Sequence, residues 1–196
     1  MFATTWGPEY ETKPAPMPLL LVQSFVNTWE GDSGVDLLAD GGTGPPEWLE
    51  EAGFLRGADV DLAALREIRE DIRALLVDKS GGSEQDAGAL TTLRALADDV
   101  RLRPAVLDDG TVDLLPPGDE GLSSLVAALL VIIRDAQRDG SWDRLKACRN
   151  PDCHWAFYDR SHAGRGAWCD MAVCGNRIKN RNLRTRRSAA RDAELS

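Results

Sequence analysis

The sequence predicts an α+β chain that is mostly α: a helical N-terminal domain carrying one β-hairpin, then a small four-cysteine module ending in a basic helix. Three observations predict it. Apolar residues recur at helical spacing through most of the N-terminal part, an Asp-Gly pair between two short apolar runs interrupts them once, and all four cysteines lie in the C-terminal quarter. At 196 residues there is length for one ordinary domain and one small one, and 43% hydrophobic with 28% charged residues is a globular composition. The expected division is a flexible, Pro-rich lead-in over residues 1–18, an α-rich domain over 19–140, and the cysteine module with its helix over 141–196.

Taken in order, Val22, Phe25, Val26 and Trp29 predict a helix over Leu19–Trp29. Residues 31–44 read as a Gly/Asp loop in which Asp32, Asp36 and Asp40 lie four apart; solvated acids are the expectation there, with a cation site as the alternative. Pro45-Pro46 opens a short helix closed by Gly53, with Trp48 and Leu49 inward. Asp59 or Asp61 caps a long helix to about Val77, in which Leu62, Leu65, Ile68, Ile72, Leu75 and Leu76 form the core stripe. Arg66, Glu67, Arg69, Glu70 and Arg73 are assigned to its wet face.

Ser83 with Asp86 predicts the start of a helix to about Asp98, with Leu90, Leu93 and Leu96 inward. Residues 101–115 change period and read as a hairpin around Asp108-Asp109-Gly110, closed by Pro116-Pro117-Gly118. From about Gly121 to Arg138, Leu122, Leu125, Val126, Leu129, Leu130 and Ile133 make the most apolar stripe of the chain, that of a central core helix. The longest apolar run, Leu125–Ile133, is far too short to span a bilayer, so no membrane partner is expected.

The module itself opens with a strand through Trp142, Leu145 and Ala147, and a second strand runs through Trp155 and Phe157. Cys148 and Cys153 have four residues between them, as do Cys169 and Cys174, and fifteen separate the pairs. Each pair can supply one edge of a tetrahedron and the loop the fold-back, which points to one structural Zn2+ with no position left for catalysis. Two disulfides are the competing reading; with no apolar leader at the N-terminus, a cytoplasmic setting and metal are favoured. His154 and His162 are expected outside the ligand set, although a histidine in place of one cysteine is a known variation. Trp155 and Trp168 are assigned to the module's miniature core in preference to base stacking. Cys174 is placed at a helix start, whose N–H groups favour a thiolate, and Arg149, Arg165 and Arg177 are expected to offset the site's negative charge. Arg177 is also given Asp159 and Asp170 as alternative partners.

Phe157-Tyr158-Asp159-Arg160-Ser161, followed by Trp168-Cys169, Met171 and Cys174-Gly175-Asn176-Arg177, resembles the CGNR zinc finger. Phe25-Val26-Asn27-Thr28 and Val35-Asp36-Leu37-Leu38 are similar to the ABATE domain that usually precedes it. The resemblance implies a candidate stress-induced transcription regulator with a zinc finger at its C-terminus; ligands on a knuckle plus ligands at a helix start resemble a treble-clef finger. The loop Ala163-Gly164-Arg165-Gly166-Ala167 stands where an Asn and a denser Ser/Arg run are usual; the metal ligands are unaffected.

Charge supports contact with nucleic acid, despite the net charge of −9. From Cys148 onward ten Lys/Arg face five Asp/Glu, and between Arg177 and Arg191 there are seven basic residues and no acid. Arg177, Lys179, Asn180, Arg181, Arg184, Arg186 and Arg187 are the candidate nucleic-acid contacts, with double-stranded DNA the expected partner. Lys179 and Asn180, near the helix start, are the candidate base readers. A solvated basic tail is the plain alternative. An RNA-binding or protein-interaction module is the alternative function, because phosphate contact needs the same arginines in either nucleic acid. An enzyme is not expected, since residues 1–147 contain no His and no Cys to supply a base or thiol nucleophile. Redox switching through the thiolates is a further class, which nothing local marks out. A homodimer through the N-terminal domain and a small-molecule effector complete the expected partners, with the nucleoid as the location of a DNA-bound form.

Overall fold

The computed structural model describes residues 8–40, 47, 49, 61–81, 90–115 and 121–194. A 3-10 turn over Pro8–Tyr10 leads into α1 (Leu19–Val26), then β1 (Trp29–Glu30) and β2 (Val35–Asp36), which pair antiparallel. There follow α2 (Leu62–Lys79), α3 (Thr91–Asp99), β3 (Arg103–Val106) with β4 (Val112–Leu115), and α4 (Leu122–Asp139). A 3-10 turn (Ser141–Arg144), β5 (Leu145–Ala147), β6 (Ala156–Tyr158), a π-helical turn (Met171–Gly175) and α5 (Asn176–Glu194) complete the chain. Among the described residues the sheets are three separate antiparallel pairs, and no helix is long and apolar enough to cross a membrane.

The core forms where α1, α2 and α4 meet the β5–β6 hairpin. Leu125, Val126, Leu129 and Ile133 of α4 pack with Phe25, Ile68, Ile72 and Leu76, and Leu145, Ala147 and Ala156 of the hairpin belong to the same cluster. The α4 stripe is therefore central, as its sequence predicts. Gly140 ends the helix at φ 81°, a left-handed position that costs glycine little. Asp61 caps α2 by accepting the Ala64 N–H at 3.0 Å, and Asp59 lies outside the described residues. The β3–β4 hairpin has the expected turn, with Val106 opposite Val112 and Gly110 at φ 84°.

Several expectations change. α1 ends at Val26, because Asn27 and Thr28 turn the chain into β1; Trp29 is a strand residue whose ring lies beneath Arg73 at 4.7 Å. Arg69 and Arg73 are not on a wet face: both are buried. The 29–40 hairpin folds over that side of α2. It supplies Asp36 to Arg69 at 2.6 Å, while the Val26 carbonyl accepts from Arg73 at 2.6 Å. Asp36, Asp40 and Asp32 form no cation site, since each meets its own guanidinium, of Arg69, Arg66 and Arg177 respectively. Trp142 lies in the 3-10 turn ahead of β5. Leu90 precedes α3 at φ 81° instead of sitting inside the helix. The Ser83/Asp86 cap, the Pro116-Pro117-Gly118 closure and all of the 45–53 helix except Glu47 and the buried Leu49 lie outside the described residues.

The lead-in differs most. Residues 1–7 are outside the described set, but Glu11 and Ala15 are buried. The segment threads between α1 and the cysteine module. The Tyr158 N–H donates to the Lys13 carbonyl at 3.0 Å, Lys13 Nζ donates to the Trp168 carbonyl, and Ala15 N–H donates to Gln23 Oε1.

Candidate metal centre and basic helix

The first ligand pair sits on a knuckle closed by its own backbone. The Cys148 N–H donates to the Trp155 carbonyl at 2.9 Å, and the Cys153 and His154 N–H groups both donate to the Asn150 carbonyl. Asn150 is buried, and its side-chain amide points at Cys174 Sγ at 3.7 Å. It thereby ties one ligand pair to the other, a role the sequence reading missed and that its place between two ligands could have suggested. His154 takes φ 50° to leave the turn.

The second pair is delivered by the π-helical turn. Asp170 caps it, its carboxylate accepting from the Val173 N–H at 2.9 Å and its carbonyl accepting from Cys174 and Gly175. Asn176 binds back to the Ala172 carbonyl. A Cβ at Gly175 would collide with Met171 Sδ and lie 3.2 Å from the Trp168 ring, so a larger residue there would have to displace the Met171 side chain. Trp155 and Trp168 pack on the cysteines, as expected of a miniature core.

All four Sγ atoms lie within 4.8 Å of one another, with Cys153–Cys169 and Cys169–Cys174 separations of 3.7 Å. A disulfide requires about 2.05 Å. A tetrahedral ion with Zn–S arms of about 2.3 Å gives S···S edges of about 3.8 Å, which these separations match. Neither histidine joins the cluster. Four sulfurs this close cannot all carry charge unaided. Hydrogen bonds from its neighbours push Cys148 down, the same contacts push Cys153 and Cys169 up, and burial pushes Cys174 up. A divalent cation removes that conflict. The donor set fits one structural zinc, with no ligand position left open.

The loop between the pairs is organised by Asp159. Burial opposes its charge, but Lys146 at 2.8 Å, the Ser161 N–H and the Gly166 N–H at 2.6 Å hold its carboxyl far below the usual range. A Cβ at Gly166 would lie 2.8 Å from that carboxyl carbon, so the glycine is required by the carboxylate. Asp159 is thus not a partner of Arg177, nor is Asp170; Arg177 reaches Asp32 in the N-terminal domain at 2.5 Å. Arg149 turns away from the sulfurs and donates from Nε to the Ser80 carbonyl at 2.5 Å.

The module and the body are joined by the residues that carried the ABATE resemblance. Asn27 behaves as an extra strand residue: its Oδ1 accepts from the Ala156 N–H at 2.8 Å and its Nδ2 donates to the Ala156 carbonyl at 2.9 Å. Arg73 donates to the His154 carbonyl at 3.2 Å. Gly31 lies so close to the knuckle that a Cβ there would be 2.7 Å from the Asp152 carbonyl.

From Gly175 onward the surroundings change. α5 has 19 residues, about 28 Å of helix, and every residue from Lys179 to Ser188 is exposed. Of the candidate contacts, Arg177 and Arg181 are paired with Asp32 and Asp152, the latter at 2.6 Å. Lys179, Asn180, Arg184, Arg186 and Arg187 face solvent. At 100° per residue Arg177 and Arg181 share the face turned to the body, while Lys179 and Arg186 lie opposite.

A family model described as ABATE, "Putative stress-induced transcription regulator", matches residues 20–138, and one described as the CGNR zinc finger matches residues 144–187. No curated protein matches the chain.

Proposed function

Since the chain belongs to the ABATE family and carries a CGNR zinc finger behind that domain, we propose that it is a DNA-binding transcription regulator of the stress response. Both families are regulator or zinc-finger types and neither is an enzyme class. The observation that carries the reading is α5: an exposed helix, basic over two turns, clamped at its N-terminus by the zinc ligand Cys174. Its open arginines and Lys179 contact phosphates, and Lys179 and Asn180, near the helix start, read base edges. Arg177 and Arg181 set the angle of the helix against Asp32 and Asp152 and contribute less to phosphate contact. DNA engagement places the protein in the cytoplasm at the nucleoid. Self-association through the N-terminal domain and a small effector belong to the same reading.

A salt titration of duplex binding tests it. Replacing Arg184 and Arg187 with Gln flattens the log–log dependence by about 0.9 for each phosphate no longer neutralised, while Arg181→Gln changes it less. Identical slopes for the parent and the double variant would leave α5 as a solvated tail. Preference for single-stranded RNA over duplex DNA in the same titration would favour the RNA-binding alternative.

A further inference from the structure

Outside the metal centre and α5, one cleft is chemically distinctive. It has a volume of about 610 Å³ and lies where the end of α2, β5 and the glycine loop of the finger meet. Lys79 and Lys146 stand half-buried in it and Arg149 and Arg165 are exposed at its rim, against the single exposed carboxylate of Asp143. Four cations converge here on a chain whose net charge is −9.

Three of these four cations have no carboxylate partner among the described residues. Lys146 is used internally, by Asp159 and the Gly164 carbonyl. Lys79 lies 4.2 Å from the centroid of the Trp142 ring and donates to the Trp142 carbonyl; among the described residues it has no ion pair. Burial pushes its ammonium down to about 7, opposed by the Asp143 carboxylate and reinforced by the Lys146 charge. A desolvated ammonium without a counter-ion is an unfavourable arrangement that a bound anion relieves. Arg149 uses only Nε, on the Ser80 carbonyl, which leaves both terminal nitrogens of its guanidinium without a hydrogen bond among the described residues. Arg165 has neither a hydrogen bond nor an ion pair there. The Ser80, Trp142 and Gly164 carbonyls already accept from Arg149, Lys79 and Lys146, which offsets their negative ends toward an anion.

We propose that this cleft binds a small phosphate-bearing molecule, with Lys79 at its floor and the terminal nitrogens of Arg149 and Arg165 closing on the phosphate oxygens. The volume lies within the range of small-molecule sites, and planar guanidinium forks suit phosphate geometry. Because Lys79 belongs to the N-terminal domain and Arg149 and Arg165 to the finger, an occupant bridges the two. The site is separate from α5, and neither reading requires the other.

Calorimetric titration of the zinc-loaded full chain tests this, with inorganic phosphate and pyrophosphate as probes and citrate as the carboxylate control. Saturable binding of one pyrophosphate per chain is expected, with citrate clearly weaker. Arg165→Gln, an exposed substitution that leaves the fold intact, weakens it about tenfold or more, as does Lys79→Met, since each removes a hydrogen bond to a charged group. Arg187→Gln on α5 leaves pyrophosphate binding unchanged. Zinc content and melting temperature of every variant are measured alongside, so that weakened affinity is not mistaken for a damaged fold. No saturable phosphate binding, equal binding of citrate, or affinity indifferent to Arg165→Gln would each overturn the proposal. It is also overturned if Arg165→Gln weakens duplex DNA as much as pyrophosphate, since the cleft would then be part of a nucleic-acid track.

Discussion

The two ends of the zinc finger sit in opposite surroundings. Cys148 and Cys153 lie on a knuckle between β5 and β6, strands whose Leu145, Ala147 and Ala156 are fully or almost fully buried in the core of the N-terminal domain. Cys174 lies in the π-helical turn that leads into α5, a helix that has no buried side chain from Asn176 to Ser188 and on which Leu183 is 46% exposed. One ligand pair is held by packing and the metal together, the other by the metal and one capped turn. The knuckle is therefore as much a part of the body as of the finger. The helix is a projecting arm whose direction depends on zinc and on two exposed ion pairs, which solvent screens to little net stability.

Zinc removal separates the two ends by the largest effect. A structural zinc in a small module contributes on the order of 10 kcal/mol of folding free energy. Chelation is expected to release the amides of residues 170–188 to rapid hydrogen exchange. Protection at β5 and β6 should fall less, because Asn27 still holds Ala156. The melting temperature of the N-terminal domain should drop as well, since the hairpin belongs to its core. A body melting unchanged after chelation would show that the hairpin adds nothing to that core.

Leucine truncation sharpens the same contrast within one module. Leu145→Ala on β5 opens a cavity in the shared core and is expected to cost about 2–5 kcal/mol in urea unfolding. Leu183→Ala on α5 should change stability by about 0.5 kcal/mol or less. Equal costs would mean that α5 packs on something in solution.

The smallest effect concerns the junction itself. Glu11 lies beside Asn27, Gln23, Ser24 and Trp155, and burial outweighs the hydrogen bonds these side chains donate, raising its carboxyl from 4.5 to about 7. With the folded value raised, the folded state keeps a proton that the unfolded chain has released between those two values. The group's contribution is therefore full below 4.5 and falls as pH rises through 7. Between pH 5.5 and 7.5, at saturating zinc, the stability difference between the parent and Glu11→Ala should shrink by about 2 kcal/mol. A difference independent of pH would mean that Glu11 stays ionised in its ring of donors.

Whatever one element or one short spacing encodes is legible in the residues alone. The α4 stripe, the Asp109-Gly110 turn, the cysteine spacing and the basic run after Cys174 each carry their information within a few residues, and a local period or a ligand interval suffices to read them. The partnership of distant side chains is legible only in the folded chain. Arg69 and Arg73 read as surface charge on α2 until Asp36 and the Val26 carbonyl close over them. Residues 11–15 read as a loose terminus until Gln23, Tyr158 and Trp168 receive them. Asn27 reads as the end of a helix, yet it is the clamp on Ala156, 129 positions away in sequence. Burying a charge or a backbone amide becomes tolerable only when its partner arrives. Those partners lie on other elements, where no periodicity in the residues themselves reveals them.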